Sequence, residues 1–218
     1  MHDYIYELKK LLPENPVIIE AGACSGADTL ELSKIWPKSQ IHAFEPNPHT
    51  YQMLVKQVDG LSNIYTYNLA LGNKIEMADF YVCRHPCLPI EEDTADPSSL
   101  FPPIRDKMPT VRFDQVIQVP VVTLDQWAEK FGVDHVDFIW FDMQGAEGIV
   151  LQACPKILST VKVVQAEFFR ENFYEDTMLL PDLECFFHTN GFVKVYQHGD
   201  KAGDVIYKRA DLTPKDTL

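Results

Sequence analysis

An acidic residue and two glycines near the N-terminus have the spacing of a ligand-binding turn. In the segment VIIEAGACSGADTLELS (residues 17–33), an apolar run ends at Glu20, and Gly22 and Gly26 separate it from a helical pattern. Glycine lets the backbone adopt a positive φ and approach a ligand closely. Ligands of open parallel sheets bind beyond the carboxyl ends of the strands. We therefore predict a ligand site at this turn.

The acids favour a cationic nucleoside over a dinucleotide. The spacing Gly22-x-x-x-Gly26 departs from the dinucleotide fingerprint G-x-G-x-x-G, because Cys24 stands at the middle glycine position. Glu45, followed by Pro46, ends the next predicted strand, where an acid can accept hydrogen bonds from ribose hydroxyls. With Glu20 the pocket would carry two negative charges, which suits S-adenosylmethionine better than a pyrophosphate. The alternative is that both are ordinary carboxylates at strand ends.

Length, charge and cysteine content narrow the class of protein. A chain of 218 residues suits one domain, 1–218. A net charge of −13 disfavours a broad nucleic-acid interface, because an acidic surface repels phosphates. No apolar run reaches the roughly 20 residues of a membrane span, and no signal peptide is evident, so we expect a cytoplasmic protein without a membrane partner. Five cysteines do not suggest a disulfide framework, and Cys83-Arg84-His85-Pro86-Cys87 has no second ligand pair for zinc.

Apolar runs alternate with helical patterns, which predicts a parallel sheet with right-handed crossovers. Residues 76–122 interrupt this order with two further strand patterns, MADFYV and VIQVPVV, around a proline-rich stretch. A long irregular loop in a compact domain is usually functional or disordered. The predicted strands are 17–20, 41–46, 63–71, 136–142 and 161–168. The predicted helices are 3–12, 27–36, 48–58 and 179–189. An antiparallel hairpin is predicted from residues 192–197 and 204–209.

Several segments together resemble the FkbM family of S-adenosylmethionine-dependent methyltransferases. They include IIEAGACSGADTLELSK, HAFEPNPHTYQMLVKQV, NLALGN, VQAEFF and, most specifically, DMQGAE at 142–147 preceded by TLD at 123–125. The resemblance covers about residues 15–208. It implies the α/β class I methyltransferase fold, a Rossmann-like three-layer sandwich. Its seven-stranded sheet is mostly parallel, with an antiparallel C-terminal hairpin. It also implies O-methylation of a hydroxyl on a sugar, polyketide or other secondary metabolite, and it allows a homodimer.

The resemblance also implies which residues bind the cofactor. Glu45 would hold the ribose hydroxyls, Asn68 and Ala70 would lie near the adenine, and Asp142 would lie next to the methyl group. Two positions depart from the family, which usually has Asn where Cys24 stands and Glu where Gln144 stands. The full set of expected cofactor-binding residues is Glu20, Gly22, Ala23, Cys24, Gly26, Thr29, Glu45, Pro46, Asn68, Ala70 and Asp142.

Transfer to an alcohol requires a group that accepts the hydroxyl proton. Asp142 is the first candidate, for positioning the cofactor or the acceptor hydroxyl. Glu167 is the second candidate for the base, since an acid beside Phe168 and Phe169 could have a raised pKa. Glu147 is either a catalytic group or an acid that stabilises a helix N-terminus. A metal shared by Asp142 and Glu167 stays open, but the spacing does not demand one and we predict none.

The insert at 84–110 is predicted to form a lid over the acceptor, with His85, Ser98 and Ser99 as candidate substrate contacts. The alternative is a solvated loop with incidental serines. Two other functions remain open. The first is a cofactor-binding protein without turnover, which Cys24 and Gln144 would fit. The second is a nicotinamide-dependent oxidoreductase, which the absence of G-x-G-x-x-G disfavours.

Overall fold

The computed structural model describes residues 4–85 and 97–213, and in it strands and helices alternate as predicted for most of the chain. The strands are β1 (Val17–Ala21), β2 (Gln40–Phe44), β3 (Ile64–Tyr67), β4 (Ala70–Leu71), β5 (Glu76–Arg84), β6 (Arg112–Val122), β7 (Phe138–Phe141), β8 (Val163–Phe169), β9 (Phe192–Gly199) and β10 (Ala202–Arg209). The helices are α1 (Tyr4–Glu7), α2 (Ala27–Ile35), α3 (Pro48–Gln57), α4 (Leu124–Phe131), α5 (Glu147–Gln152), α6 (Pro155–Leu158) and α7 (Leu180–Thr189).

The main sheet has seven strands in the order β3-β2-β1-β7-β8-β10-β9. The pairs among β3, β2, β1, β7 and β8 are parallel, whereas β10 runs antiparallel to both β8 and β9. The last strand of the chain therefore lies between β8 and β9. The prediction of a mostly parallel seven-stranded sheet with an antiparallel C-terminal hairpin is confirmed.

Helices cover both faces of this sheet. Alternate residues of a strand point to opposite faces, and the central strands carry apolar side chains on both. In β1, Ile19 packs in a cluster with Trp127 of α4 and Phe187 of α7. Its neighbour Ile18 packs on the other face with Leu32 of α2 and Leu8. Every residue of β1 and β7 is buried, as expected of strands enclosed between two layers.

Two sequence predictions about elements were wrong in part. The strand predicted at 63–71 is split into β3 and β4, because the chain turns at Asn68, whose Nδ2 donates to the carbonyl oxygens of Glu45 (2.8 Å) and Pro46 (3.0 Å). The helix predicted at 3–12 consists of α1 followed by a single 3₁₀ turn at Leu8–Lys10.

The strands at 76–122 form a second, three-stranded sheet with the order β4-β6-β5. β5 and β6 pair antiparallel, and β4 pairs parallel to β6. Because β4 follows β3 after only Asn68 and Leu69, this small sheet begins at the carboxyl edge of the main sheet. Within the described ranges, no helix is long and apolar enough to cross a membrane.

Candidate active site

A cavity of about 420 Å³ opens beyond the carboxyl ends of β1, β2 and β7, which is where the sequence predicted a ligand site. This volume lies within the usual range for small-molecule pockets. The small sheet closes one side through Ala70, Leu71 and Phe80. The lining residues are Ala21, Gly22, Ala23, Cys24, Ser25, Ala27, Asp28, Phe44, Glu45, Pro46, Asn47, Thr50, Leu69, Ala70, Leu71, Phe80, Ser98, Leu100, Asp142, Met143, Gln144 and Ala146.

The glycine turn is packed so closely that side chains cannot replace two of its residues. Gly22 has φ +85°, and a Cβ on it would lie 1.7 Å from the carbonyl oxygen of Asp142. Gly26 has φ +88°, and its Cβ would lie 2.8 Å from Cδ1 of Leu54. The N–H groups of Gly22 and Ala23 both donate to the carbonyl oxygen of Phe44 at 3.0 Å. The turn is therefore fixed against the ends of both β2 and β7.

Glu45 connects the turn after β1 to the loop after β2. Its Oε2 accepts from the backbone N–H of Cys24 at 2.8 Å, and its Oε1 accepts from that of Asn47 at 2.8 Å. Cys24 has φ +50°, a conformation in which Asn is more common than most residues. The contact from Cys24 to Glu45 comes from its backbone, so this contact does not depend on the side chain at position 24.

Asn68 holds the loop after β2 in place and is not among the residues that line the cavity. The adjacent Leu69, Ala70 and Leu71 do line it. The expectation that the segment after β3 reaches the cavity therefore agrees with the structure for Ala70, whereas Asn68 acts through the backbone of Glu45 and Pro46.

Glu20 and Thr29 lie behind the turn and are almost fully buried, with exposed fractions of 1% and 0%. Among the described residues, neither Glu20 Oε2 nor Thr29 Oγ1 has a hydrogen-bond partner. Burial raises the pKa of Glu20 to about 8; the neighbouring Thr29 hydroxyl offsets part of the rise, and the negative charges of Asp28, Asp142 and Glu45 add to it. Buried polar atoms normally have hydrogen-bond partners, so these two atoms are exceptions next to the glycine turn.

A second group of acids surrounds the carboxyl ends of β7 and β8. Asp142 follows β7, and its Oδ1 accepts from Nε2 of Gln144 at 2.6 Å. Burial raises the pKa of Asp142 to about 6. Burial also raises the pKa of Glu167 well above its ordinary value, and the charges of Asp142 and Glu147 add to the rise. The charge of Asp142 therefore favours the protonated form of Glu167, and Glu167 keeps its proton more strongly than Asp142 does.

Glu147 closes the turn that precedes α5. Its Oε1 accepts from the N–H of Met143 at 2.6 Å, and its Oε2 accepts from that of Gly145 at 3.0 Å. The side chain is buried and does not line the cavity, and burial raises its pKa to about 7. Of the two roles predicted for Glu147, these contacts favour the one at the helix N-terminus.

The predicted substrate contacts lie in different places. Ser98 lines the cavity, and its Oγ accepts from the N–H of Cys83 at 2.8 Å. Ser99 is fully buried, and its Oγ donates to the carbonyl oxygen of Gln144 at 2.8 Å, which is a structural contact. His85 is half-buried and is not among the lining residues. Residues 86–96 of the predicted lid, including Cys87, lie outside the described residues.

Sequence reasoning missed residues that neither belong to a motif nor stand at a predicted strand end. Tyr174 is buried, and its hydroxyl lies 2.7 Å from the carbonyl oxygen of Pro97 and 3.1 Å from Oε1 of Gln144. It thereby ties the insert to the turn after β7. Asp28 and Phe80 line the cavity. The apolar positions of β5 could have indicated Phe80, but no local pattern marks Tyr174.

In the described part of the chain, no group of three or more His, Cys, Asp or Glu side chains is arranged to hold a metal ion.

This fold and site define a class I methyltransferase, and comparison with known proteins identifies the family. The model of the Methyltransferase FkbM domain matches residues 20–194, and the chain belongs to this family. The chain is 26% identical over 200 residues to 2-O-methyltransferase NoeI of Sinorhizobium fredii (strain NBRC 101917 / NGR234), covering 91% of this chain and 81% of that protein. A segment of 74 residues is 34% identical to methyltransferase sdnD of Sordaria araneosa, covering 33% of this chain and 28% of that protein.

Solved structures agree on the fold. The Methanococcus jannaschii fibrillarin pre-rRNA processing protein superposes with a TM-score of 0.53 at 12% identity, covering 92% of this chain and 69% of that one. TrmK of M. capricolum, in complex with S-adenosylhomocysteine, gives a TM-score of 0.50 at 11% identity, and the match covers 100% of this chain and 72% of that one. The family match identifies the protein as an S-adenosylmethionine-dependent methyltransferase, as predicted, and the acidic lining of the cavity fits this cationic cofactor.

We expect Gly22→Ala to destabilise the fold by at least about 3 kcal/mol, because the added Cβ would overlap the carbonyl oxygen of Asp142. Gly60→Ala is a matched control. Gly60 also has a positive φ, +80°, but nothing lies within 4 Å of its Cβ position. This control should cost only about 1 kcal/mol, from backbone strain alone. Urea unfolding measures both, and similar losses for the two variants would contradict the close packing of the turn.

Proposed function

We propose that this protein transfers the methyl group of S-adenosylmethionine to a hydroxyl group of a small molecule. The observation that carries the proposal is the carboxyl group of Asp142, which lines the cavity after β7 and whose pKa is raised by burial to about 6, since an alcohol must lose a proton as it is methylated. The relative named 2-O-methyltransferase NoeI supports oxygen as the acceptor atom.

The cofactor would bind with its sugar against Glu45. The oxygens of that carboxylate accept backbone N–H groups of Cys24 and Asn47, which orients the carboxylate at the cavity wall, where ribose hydroxyls could donate to it. The methionine part would lie along Gly22 and Ala23, with Glu20 behind them, and the adenine against Leu69 to Leu71. When bound, S-adenosylmethionine supplies an electrophilic methyl group on a sulfonium.

Asp142 would then lie at the methyl end of the cavity and accept the acceptor's proton. The amide of Gln144 donates to Asp142 and thereby favours its ionised form. The pKa of Glu167 is raised more strongly, so Asp142 ionises first. A carboxylate at position 144 could not donate this hydrogen bond unless it were protonated. Gln144 is therefore compatible with a base at Asp142, and its presence does not favour loss of turnover.

The insert would cover the acceptor, with Ser98 facing the cavity. Ser99 and Tyr174 hold this segment against the turn after β7, so an acceptor would be enclosed between the small sheet and Gln144. A homodimer and the absence of nucleic-acid and membrane partners stay predictions.

We expect Glu45→Ala to weaken S-adenosylhomocysteine binding by roughly 10- to 150-fold, the equivalent of about 1.5–3 kcal/mol for hydrogen bonds to a charged group. Isothermal titration calorimetry measures this. Glu129→Ala is the control, because Glu129 is 77% exposed and its ion pair with Lys156 is long, at 3.9 Å.

Loss of affinity in Glu45→Ala could also come from the loosened loop, and a cofactor analogue separates the two causes. Wild-type protein should bind the 2′,3′-dideoxy form of S-adenosylhomocysteine much more weakly than the normal form, whereas the Glu45→Ala variant should bind both alike. A variant that still prefers the normal form would show that Glu45 does not contact the ribose.

Asp142→Asn should reduce kcat by about 10²–10⁴ while leaving S-adenosylhomocysteine affinity within a few-fold. In the wild type, kcat/KM should fall as the pH decreases through about 6, because the base is inactive once Asp142 is protonated. A profile that is flat between pH 5 and 8, or a variant with normal kcat, would argue against Asp142 as the base.

The function itself is tested with isotopically labelled S-adenosylmethionine and a panel of neutral glycosides, polyols and polyketide lactones. The expected product carries the label as a methyl ether, located by NMR. Label found only on nitrogen, sulfur or carbon of the panel compounds would contradict O-methylation.

A further inference from the structure

The walls of the active-site cavity carry only one sign of charge in the part of the chain that the structure describes. Asp28, Glu45 and Asp142 line the cavity, and no lysine, arginine or histidine does. Behind these walls lie further carboxyl groups, of which Glu20 and Glu167 each have one buried oxygen without a hydrogen-bond partner among the described residues. An anionic group of an acceptor entering this space would meet the acidic side chains of Asp28, Glu45 and Asp142.

Three basic residues of the neighbouring segments bind groups outside the cavity lining. Nη2 of Arg105 donates to the carbonyl oxygen of Phe113 at 2.9 Å. Lys107 and Lys201 both pair with the carboxylate of Glu171, at 2.5 and 2.7 Å. Proteins that recognise phosphate or carboxylate groups generally supply arginine, lysine or a set of backbone N–H groups for them.

The remaining wall is apolar. Phe80, Leu100 and Met143 line the cavity on the side of the small sheet and of the turn after β7. Such a wall suits the C–H face of a sugar ring or a hydrocarbon portion, and Ser98 offers a hydroxyl for orientation.

We propose that the part of the acceptor that enters this cavity is neutral or positively charged, and that molecules bearing phosphate or carboxylate groups near the reacting hydroxyl are rejected. This inference rests on the proposed methyl transfer to a small molecule, and it narrows the substrate class to neutral or amino-bearing hydroxyl compounds. Repulsion between like charges that are shielded from water reduces the affinity for an anion by tenfold or more.

Cofactor analogues test the charge preference without knowledge of the acceptor. In three analogues of S-adenosylhomocysteine, the sulfur is replaced by a nitrogen with a short arm toward the acceptor space, ending in a hydroxyl, an ammonium or a carboxylate. Calorimetry at pH 8 should show that the ammonium arm binds at least as tightly as the hydroxyl arm. The carboxylate arm should bind at least about tenfold more weakly. Equal or tighter binding of the carboxylate arm would overturn the inference.

Variants locate the source of the discrimination. Asp142→Asn and Asp28→Asn should each reduce the preference for the hydroxyl arm over the carboxylate arm by at least about threefold. Glu129→Gln, which removes an exposed carboxylate away from the cavity, should leave the preference unchanged. Binding of S-adenosylhomocysteine itself shows that each variant is folded. A preference unchanged in both aspartate variants would contradict the assignment.

The outcomes for this inference and for the proposed function are distinguishable. If wild-type protein did not bind S-adenosylhomocysteine, the proposed function would fail. If it bound S-adenosylhomocysteine but tolerated the carboxylate arm, only the charge preference would fail.

For an acceptor that is methylated, a phosphate placed next to the reacting hydroxyl should lower kcat/KM by at least about tenfold, and an unchanged value would overturn the inference.

Discussion

The burial of several carboxyl groups beside one another is the constraint on which the site depends. Glu20, Asp142, Glu147 and Glu167 lie at the carboxyl ends of β1, β7 and β8, and burial raises the pKa of each. Concentrating acids in this way destabilises the folded protein at neutral pH, because each group must either lose solvation or keep a proton. In the complex that we propose, a cationic cofactor would supply an opposite charge and offset this cost.

The backbone around these acids is held by contacts that leave little freedom. Gly22 packs on the carbonyl oxygen of Asp142, and Glu45 bonds the loops after β1 and β2 to each other. Glu147 fixes the turn after β7 by accepting two of its backbone N–H groups. Tyr174 fixes the insert at Pro97, whose carbonyl oxygen accepts from the tyrosine hydroxyl. The ends of three strands and the inserted sheet are thereby joined into one cavity wall.

Much of this could be predicted from sequence, for physical reasons that differ between residues. Strands β1 and β7 are continuous apolar runs, and acids and glycines at their ends marked the ligand site, because such positions are recognisable locally. The sequence predicted the strands of the insert but not that they form a separate sheet with β4. The break between β3 and β4 is accompanied by tertiary contacts of Asn68, which no local pattern indicates. The burial of Ser99, the bridging position of Tyr174 and the turn-closing bonds of Glu147 also depend on distant partners, and no local pattern encodes them.

The central claim is that the buried acids act as counter-charges to a cationic cofactor, and the number of protons released on binding tests it most directly. Calorimetry at pH 7 in two buffers of different ionisation enthalpy gives that number. A nearby cation lowers the pKa of a carboxyl group, so S-adenosylmethionine should release protons from groups such as Glu20 and Glu167. S-adenosylhomocysteine, which lacks the sulfonium charge, should release fewer. Equal proton counts for the two ligands, or proton uptake with S-adenosylmethionine, would contradict the account.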